Sequence, residues 1–135
     1  PQEEAADLRQ TLSAEGMDLV SLIAPTTADR RAREIATTGS GFLYYVSLKG
    51  TTGSGALAVD EVAERMSFLQ TLTNVPICVG FGIKDAKSAA AVSAHADGVV
   101  VGSALVQLMA DSPDPATASQ RLQTAIADIR NGLDG

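Results

Sequence analysis

Hydrophobic and polar positions follow two alternating periods along this chain. Four short apolar runs, Asp18 to Ala24, Phe42 to Leu48, Pro76 to Val79 and Val99 to Val101, each lie within two residues of a glycine or proline stop and read as buried strands. Phe42 to Leu48, rich in aromatic and β-branched residues between glycines, is the strongest of the four. Between them the apolar residues recur at helical spacing. Ala5, Leu8 and Leu12 mark a first helix stopped by Gly16, with Pro1, Glu3 and Glu4 suited to its start. Ala28 to Thr37 reads as a second helix, capped by Thr26 or Thr27, with Arg30, Arg31, Arg33 and Glu34 on its solvated face. Asp60 to Leu72 reads as a third, with Asp60 and Glu61 in an acidic first turn and Val62, Met66 and Leu69 facing a core. Lys84 and Asp85 precede an alanine-rich helix from Ala86 to Ala94. Gly102 and Ser103 open a short helix to about Met109, and a linker from Asp111 to Pro115 leads to a last helix ending near Asn131.

Strands that alternate with helices predict an α/β fold with a parallel sheet. Right-handed crossovers between successive neighbouring strands place every helix on the same face. The other face is then bare, although Val20, Leu22, Phe42, Tyr44, Val46 and Val100 make these strands apolar on both sides. At ~25 cal/mol per Å², leaving such a face in water forfeits an amount comparable with the ~5–15 kcal/mol net stability of a domain. A closed (β/α)8 TIM barrel removes the difficulty, with this chain supplying about its last four βα units as the C-terminal half of a single domain over residues 1–135. Pro1 stands at what looks like a helix start, which suggests a strand upstream. The competing architecture is a doubly wound open sheet, which requires a strand-order reversal that nothing in the sequence advertises.

Composition narrows the partners. A net charge of −6 and a pI near 4.6, without Lys/Arg clusters, argue against a nucleic-acid or anionic-membrane surface. No apolar run reaches the ~20 residues that span a bilayer, and no signal-peptide layout is present, so the expected compartment is the cytoplasm. Cys78 is the only cysteine and reads as buried packing within its apolar run.

The candidate chemistry is an anion site. The runs ending at Val79 and Val101 each stop at glycine, and each stop is followed by a pattern that opens a helix. Helix-start N–H groups, with glycines that admit close approach, suit a phosphate. In barrels the reactive groups stand at the C-terminal strand ends. Here those ends are Ala24-Pro25, Ser47-Leu48, Gly80-Phe81-Gly82 and Val101-Gly102-Ser103, none with a carboxylate, histidine or lysine. Lys49, one step beyond, reads as an exposed loop lysine, and Asp60, Glu61 and Asp85 as helix-start residues. His95 has no second ligand at metal spacing, so no metal site is expected. Thr51 to Gly55 reads either as a lid or as a plain surface loop.

Three motifs in order, FLYYVSLKGTTGSG, VGFGIKDAKSAAAV and ADGVVVGSALV, resemble the C-terminal half of the tryptophan synthase alpha subunit family, and the resemblance extends over nearly the whole chain. It implies a barrel lyase that cleaves indole-3-glycerol phosphate to indole and glyceraldehyde 3-phosphate. It also implies no cofactor in this subunit and a heterotetramer with a beta subunit whose pyridoxal phosphate consumes the indole. By position, Gly53, Gly82, Gly102 and Ser103 would bind the substrate phosphate, with Phe81 shaping that turn. Tyr44 matches the active-site tyrosine, Thr52 the lid threonine, and Leu22 and Val100, with Tyr44, positions lining the indole pocket. The family's catalytic glutamate and aspartate belong to the half upstream, in agreement with the bare strand ends. The lid reads LKGTTGSG, without the arginine that some members have after the serine. Two other readings remain open: a non-catalytic phosphate-binding half-barrel, and another phosphate-binding barrel such as a sugar-phosphate isomerase.

Overall fold

The computed structural model describes residues 5–46, 55–80 and 82–135. Its elements follow one another as α1 (Ala5–Ala14), β1 (Ser21–Ile23), α2 (Asp29–Thr38), β2 (Leu43–Val46), α3 (Gly55–Gln70), β3 (Ile77–Gly80), α4 (Ala86–Ser93), β4 (Gly98–Val99), α5 (Ser103–Ala110) and α6 (Pro115–Asp134). The strands form one four-stranded sheet in the order β1-β2-β3-β4, parallel at every pairing. These four described strands show no reversal of order, the feature that the doubly wound alternative requires.

Period-2 alternation sorts the strand residues. Ile23, Leu43, Tyr45, Ile77 and Val79 are buried together with Ala32 and Ala36 of α2 and Val62, Met66 and Leu69 of α3. Fully burying an aliphatic side chain of this size contributes about 1.5–3 kcal/mol, so this layer holds the unit together. A second cluster joins Ile83, Ala89 and Val92 to Ile129 of α6, with Val99 and Val101 packed against it. Gly132 permits that contact, because a Cβ there would come within 2.3 Å of the Ala86 carbonyl oxygen. The Asp97 carboxylate accepts from Ile77 N at 2.8 Å and so ties the turn before β4 to the start of β3.

The opposite sheet face stays open. Leu22 is 58% exposed, and Tyr44, Val46, Cys78 and Gly80 are only half-buried. α1 forms where its periodicity places it, yet none of its residues is buried. No helix among the described residues is long and apolar enough to cross a membrane.

Three local expectations are corrected. α3 begins at Gly55, five residues before Asp60, so Asp60 and Glu61 lie beyond its first turn. Neither Thr26 nor Thr27 caps α2: its N-cap is Ala28, and the Thr27 hydroxyl accepts instead from Ala24 N at 3.0 Å. The hydroxyl closes the turn after β1, and Thr27 stands one residue before the N-cap position. The sheet ladders are also shorter than the apolar runs, β4 being two residues long.

Candidate functional site at the strand ends

All four strands run the same way, so their C-terminal ends share one edge, and two kinds of surface meet there. The first is the open face. Leu22 is opposite Tyr44, and Tyr44 is opposite Cys78, which is opposite Gly98, in one row across the sheet. In a neighbouring row Val46 is opposite Gly80, and the bond from Val100 N to Val79 O at 2.9 Å extends the ladder to Val100. Leu22, Tyr44 and Val100 therefore share one apolar face, as a pocket wall requires.

Tyr44 reaches out of its row. A Cβ built on Gly80 would lie 2.5 Å from the Tyr44 hydroxyl oxygen, 2.6 Å from Cε2 and 2.9 Å from Cζ. The hydroxyl end of the ring thus occupies the space that any side chain at position 80 would need. Gly80 shapes the site, although in the sequence it reads only as the stop of a strand.

The second surface is the set of helix starts after β3 and β4. The start of α4 is already satisfied: Asp85 is its N-cap, its carboxylate accepts from Ser88 N at 2.8 Å, and the Ser88 hydroxyl accepts in turn from Asp85 N at 3.1 Å. These Ser88 hydrogen bonds, first the side-chain one and then the backbone one, hold the Asp85 carboxyl below its ordinary range. α6 is closed in the same way by Asp114, which accepts from Thr117 N at 2.9 Å. α5 differs. Its N-cap is Gly102, which contributes no side-chain cap, and a Cβ there would meet nothing within 4 Å among the described residues. The Gly102 carbonyl accepts from Leu105 N and Val106 N, while the first N–H groups of a helix have no partner within it. Among the described residues no side chain caps this start. Gly82, with φ of 49°, adopts a left-handed conformation after β3, the strand next to β4 in the sheet.

Of the residues singled out from the sequence, Leu22, Tyr44, Gly82, Gly102, Ser103 and Val100 thus sit on the open face or at the β3 and β4 ends. Lys49, Thr52, Gly53 and Phe81 lie outside the described residues. Cys78 is half-buried on the open face, and burial, with Asp97 adding to it, pushes its thiol pKa up. His95 is half-buried, and among the described residues no three His, Cys, Asp or Glu side chains gather as metal ligands.

The sequence matches the family model described as tryptophan synthase alpha chain over residues 1–133. The chain belongs to the tryptophan synthase alpha chain family. Curated family members from Chromobacterium violaceum and Cupriavidus taiwanensis are 48% and 46% identical to it, over 98% and 99% of this chain. Each match covers 50% of the relative, so the chain spans about half the length of these tryptophan synthase alpha chains. Among solved structures, tryptophan synthase subunit alpha from Legionella pneumophila superposes with a TM-score of 0.82 at 31% identity, over 99% of this chain and 49% of that one. The alpha subunit from Pyrococcus furiosus gives 0.78 at 30% identity, over 97% and 52%. The fold is therefore about four βα units of the family's (β/α)8 barrel, and the open sheet face is the one that looks into the barrel interior.

Proposed function

We propose that this chain supplies the phosphate site, the lid loop and part of the indole pocket of a tryptophan synthase alpha subunit. The reaction is cleavage of indole-3-glycerol phosphate to indole and glyceraldehyde 3-phosphate in tryptophan biosynthesis. Residues 1–135 are the C-terminal half of one barrel domain, the whole is cytoplasmic, and the catalytic glutamate and aspartate come from the other half. The observation that supports this reading best is that α5, after β4, starts without a side-chain cap and that Gly82, after the adjacent β3, is left-handed, both at the sheet edge that carries Tyr44 and Leu22. One end of that edge suits a phosphate and the other an apolar ring.

In this scheme Gly82, Gly102 and Ser103, with Gly53 from the lid and Phe81 shaping the turn, hold the phosphate chiefly by main-chain N–H groups, helped by the positive end of α5. Leu22, Val100 and the Tyr44 ring contact indole, and the Thr52 hydroxyl of the lid supports the catalytic aspartate. Water exclusion by the closed lid retains indole for a beta subunit, whose pyridoxal phosphate performs the next reaction; the alpha subunit itself uses no cofactor.

The test is indole release from indole-3-glycerol phosphate by the intact barrel, with and without Gly82→Asp. A carboxylate at the phosphate turn blocks the main-chain approach and repels the anion, so the variant should lose binding of substrate and of glyceraldehyde 3-phosphate. Unchanged affinity for glyceraldehyde 3-phosphate would place the phosphate elsewhere. No indole release by the unaltered barrel would favour a non-catalytic or different phosphate-binding barrel.

A further inference from the structure

We infer that Arg65 is a positioning residue that clamps the turn after β1, and through it the β1 wall of the pocket; the substrate side of this inference rests on the function proposed above. Arg65 lies on the third helix, two elements away in sequence from the turn it grips. Its Nη2 donates to the Thr27 carbonyl oxygen at 2.7 Å, and its Nη1 pairs with Asp29 Oδ1 at 2.6 Å. The guanidinium stacks over the Phe68 ring at 5.0 Å, and the Arg65 side chain is only 18% exposed. A planar fork that meets two acceptors while stacked on a ring is held in one geometry, which a lysine cannot reproduce.

The gripped segment is small and stands at the site. Ala24 and Thr27 already close a turn, with Thr27 N bonded to Ala24 O at 2.9 Å and Ala24 N to the Thr27 hydroxyl at 3.0 Å. That turn immediately follows β1, whose Leu22 faces the pocket beside Tyr44. Besides the ladder to β2 and the burial of Ile23 against α2 and α3, the Arg65 fork ties this turn to α3 by polar contacts. Loss of the fork leaves the turn with its local bonds and the packing of Ile23, and loosens residues 24–29 beyond that core anchor. The effect should fall on the indole end of the substrate, because Gly82 and Gly102 follow β3 and β4, at the other side of the sheet.

Two measurements on the intact barrel test this with Arg65→Met, which keeps most of the stem, and with Arg65→Lys, which keeps the charge. In hydrogen exchange, the amides of Ala24 and of residues 26–29 should exchange at least ~10-fold faster in Arg65→Met, with those of Val62 to Leu72 unchanged. In condensation of indole with glyceraldehyde 3-phosphate, KM for indole should rise ~5–10-fold in Arg65→Met, with KM for glyceraldehyde 3-phosphate held within about twofold. Arg65→Lys should restore less than half of the loss, because it makes one contact at a time. Unchanged exchange at 24–29, or faster exchange throughout α2 and α3, overturns the clamp. Equal rises in both KM values, or a fall in kcat alone, overturns its role at the pocket. If the unaltered barrel condenses nothing, the functional reading fails, and the exchange data still decide the clamp.

Discussion

Gly80→Ala is the smallest change that tests how the site is built. The added Cβ would stand 2.5 Å from the Tyr44 hydroxyl oxygen and within 2.9 Å of two ring carbons. Ordinary contact begins near ~3.5 Å, so the distal end of the ring has to move by roughly 1 Å. Tyr44 is half-buried on the open face rather than locked in the core, so the ring yields before the strand does. The expected cost in stability is that of mild overpacking, about 1–3 kcal/mol. The cost in function is larger in proportion, since a misplacement of ~1 Å in a positioned group lowers turnover by up to ~100-fold. A double-mutant cycle in the intact barrel, read by urea unfolding and by kcat/KM for indole-3-glycerol phosphate, separates this from a general effect of the methyl group. In a Tyr44→Ala background the obstructing atoms are absent, so Gly80→Ala should then cost less than about 0.5 kcal/mol, a strongly non-additive cycle. Additive losses, or a Gly80→Ala barrel with unaltered kcat/KM, would refute the placement of the Tyr44 ring over Gly80.

Thr52→Val keeps the shape of the lid residue and removes its hydroxyl, so turnover of indole-3-glycerol phosphate should fall by ~10-fold or more while glyceraldehyde 3-phosphate affinity changes little; a wild-type rate with the beta subunit present would make the loop a mere connector. Asp85 and Asp114 both have carboxyls held below their ordinary value of 3.8 by hydrogen bonds, so they stabilise the fold above that pH and lose this contribution as pH falls below it. Thermal unfolding between about pH 5 and about pH 2 should therefore fall less steeply in the Asp85→Asn/Asp114→Asn protein, and an identical slope would deny the caps that role. The Cys78 thiol, raised by burial, should react slowly with an alkylating reagent near neutral pH and faster only above the ordinary value of 9.0; rapid labelling at neutral pH would contradict that burial.

The architecture was legible because parallel strands with one-sided crossovers leave a clear trace: apolar runs bounded by glycine or proline, and helices of matching spacing between them. Val62, Met66 and Leu69 were read as core from spacing alone and are buried. The misread boundaries have local causes. Thr51 to Gly55 has the composition of a loop, yet α3 starts at Gly55, because a glycine is tolerated where a helix begins and Ala56 to Ala58 favour its continuation. Thr27 has a capping residue type, but its hydroxyl closes the turn onto Ala24. Gly80 and Arg65 could not be found from spacing. The reason for each lies on another element, the Tyr44 ring on β2 for Gly80 and the Thr27 carbonyl after β1 for Arg65, and such pairings exist only once the sheet is assembled.

Supplying the other half of the barrel tests the central claim most directly. The claim is that this chain brings the phosphate site and pocket wall, and that the acid and base come from the remaining βα units. Indole release from indole-3-glycerol phosphate should be undetectable with the 135-residue chain alone, which should also associate or aggregate through its open sheet face. Refolded together with the amino-terminal half of a family member, it should become soluble and release indole, and Gly82→Asp in this chain should abolish that release. Turnover by the 135-residue chain alone, or a soluble reassembled barrel whose indole release is indifferent to Gly82→Asp, would contradict the account.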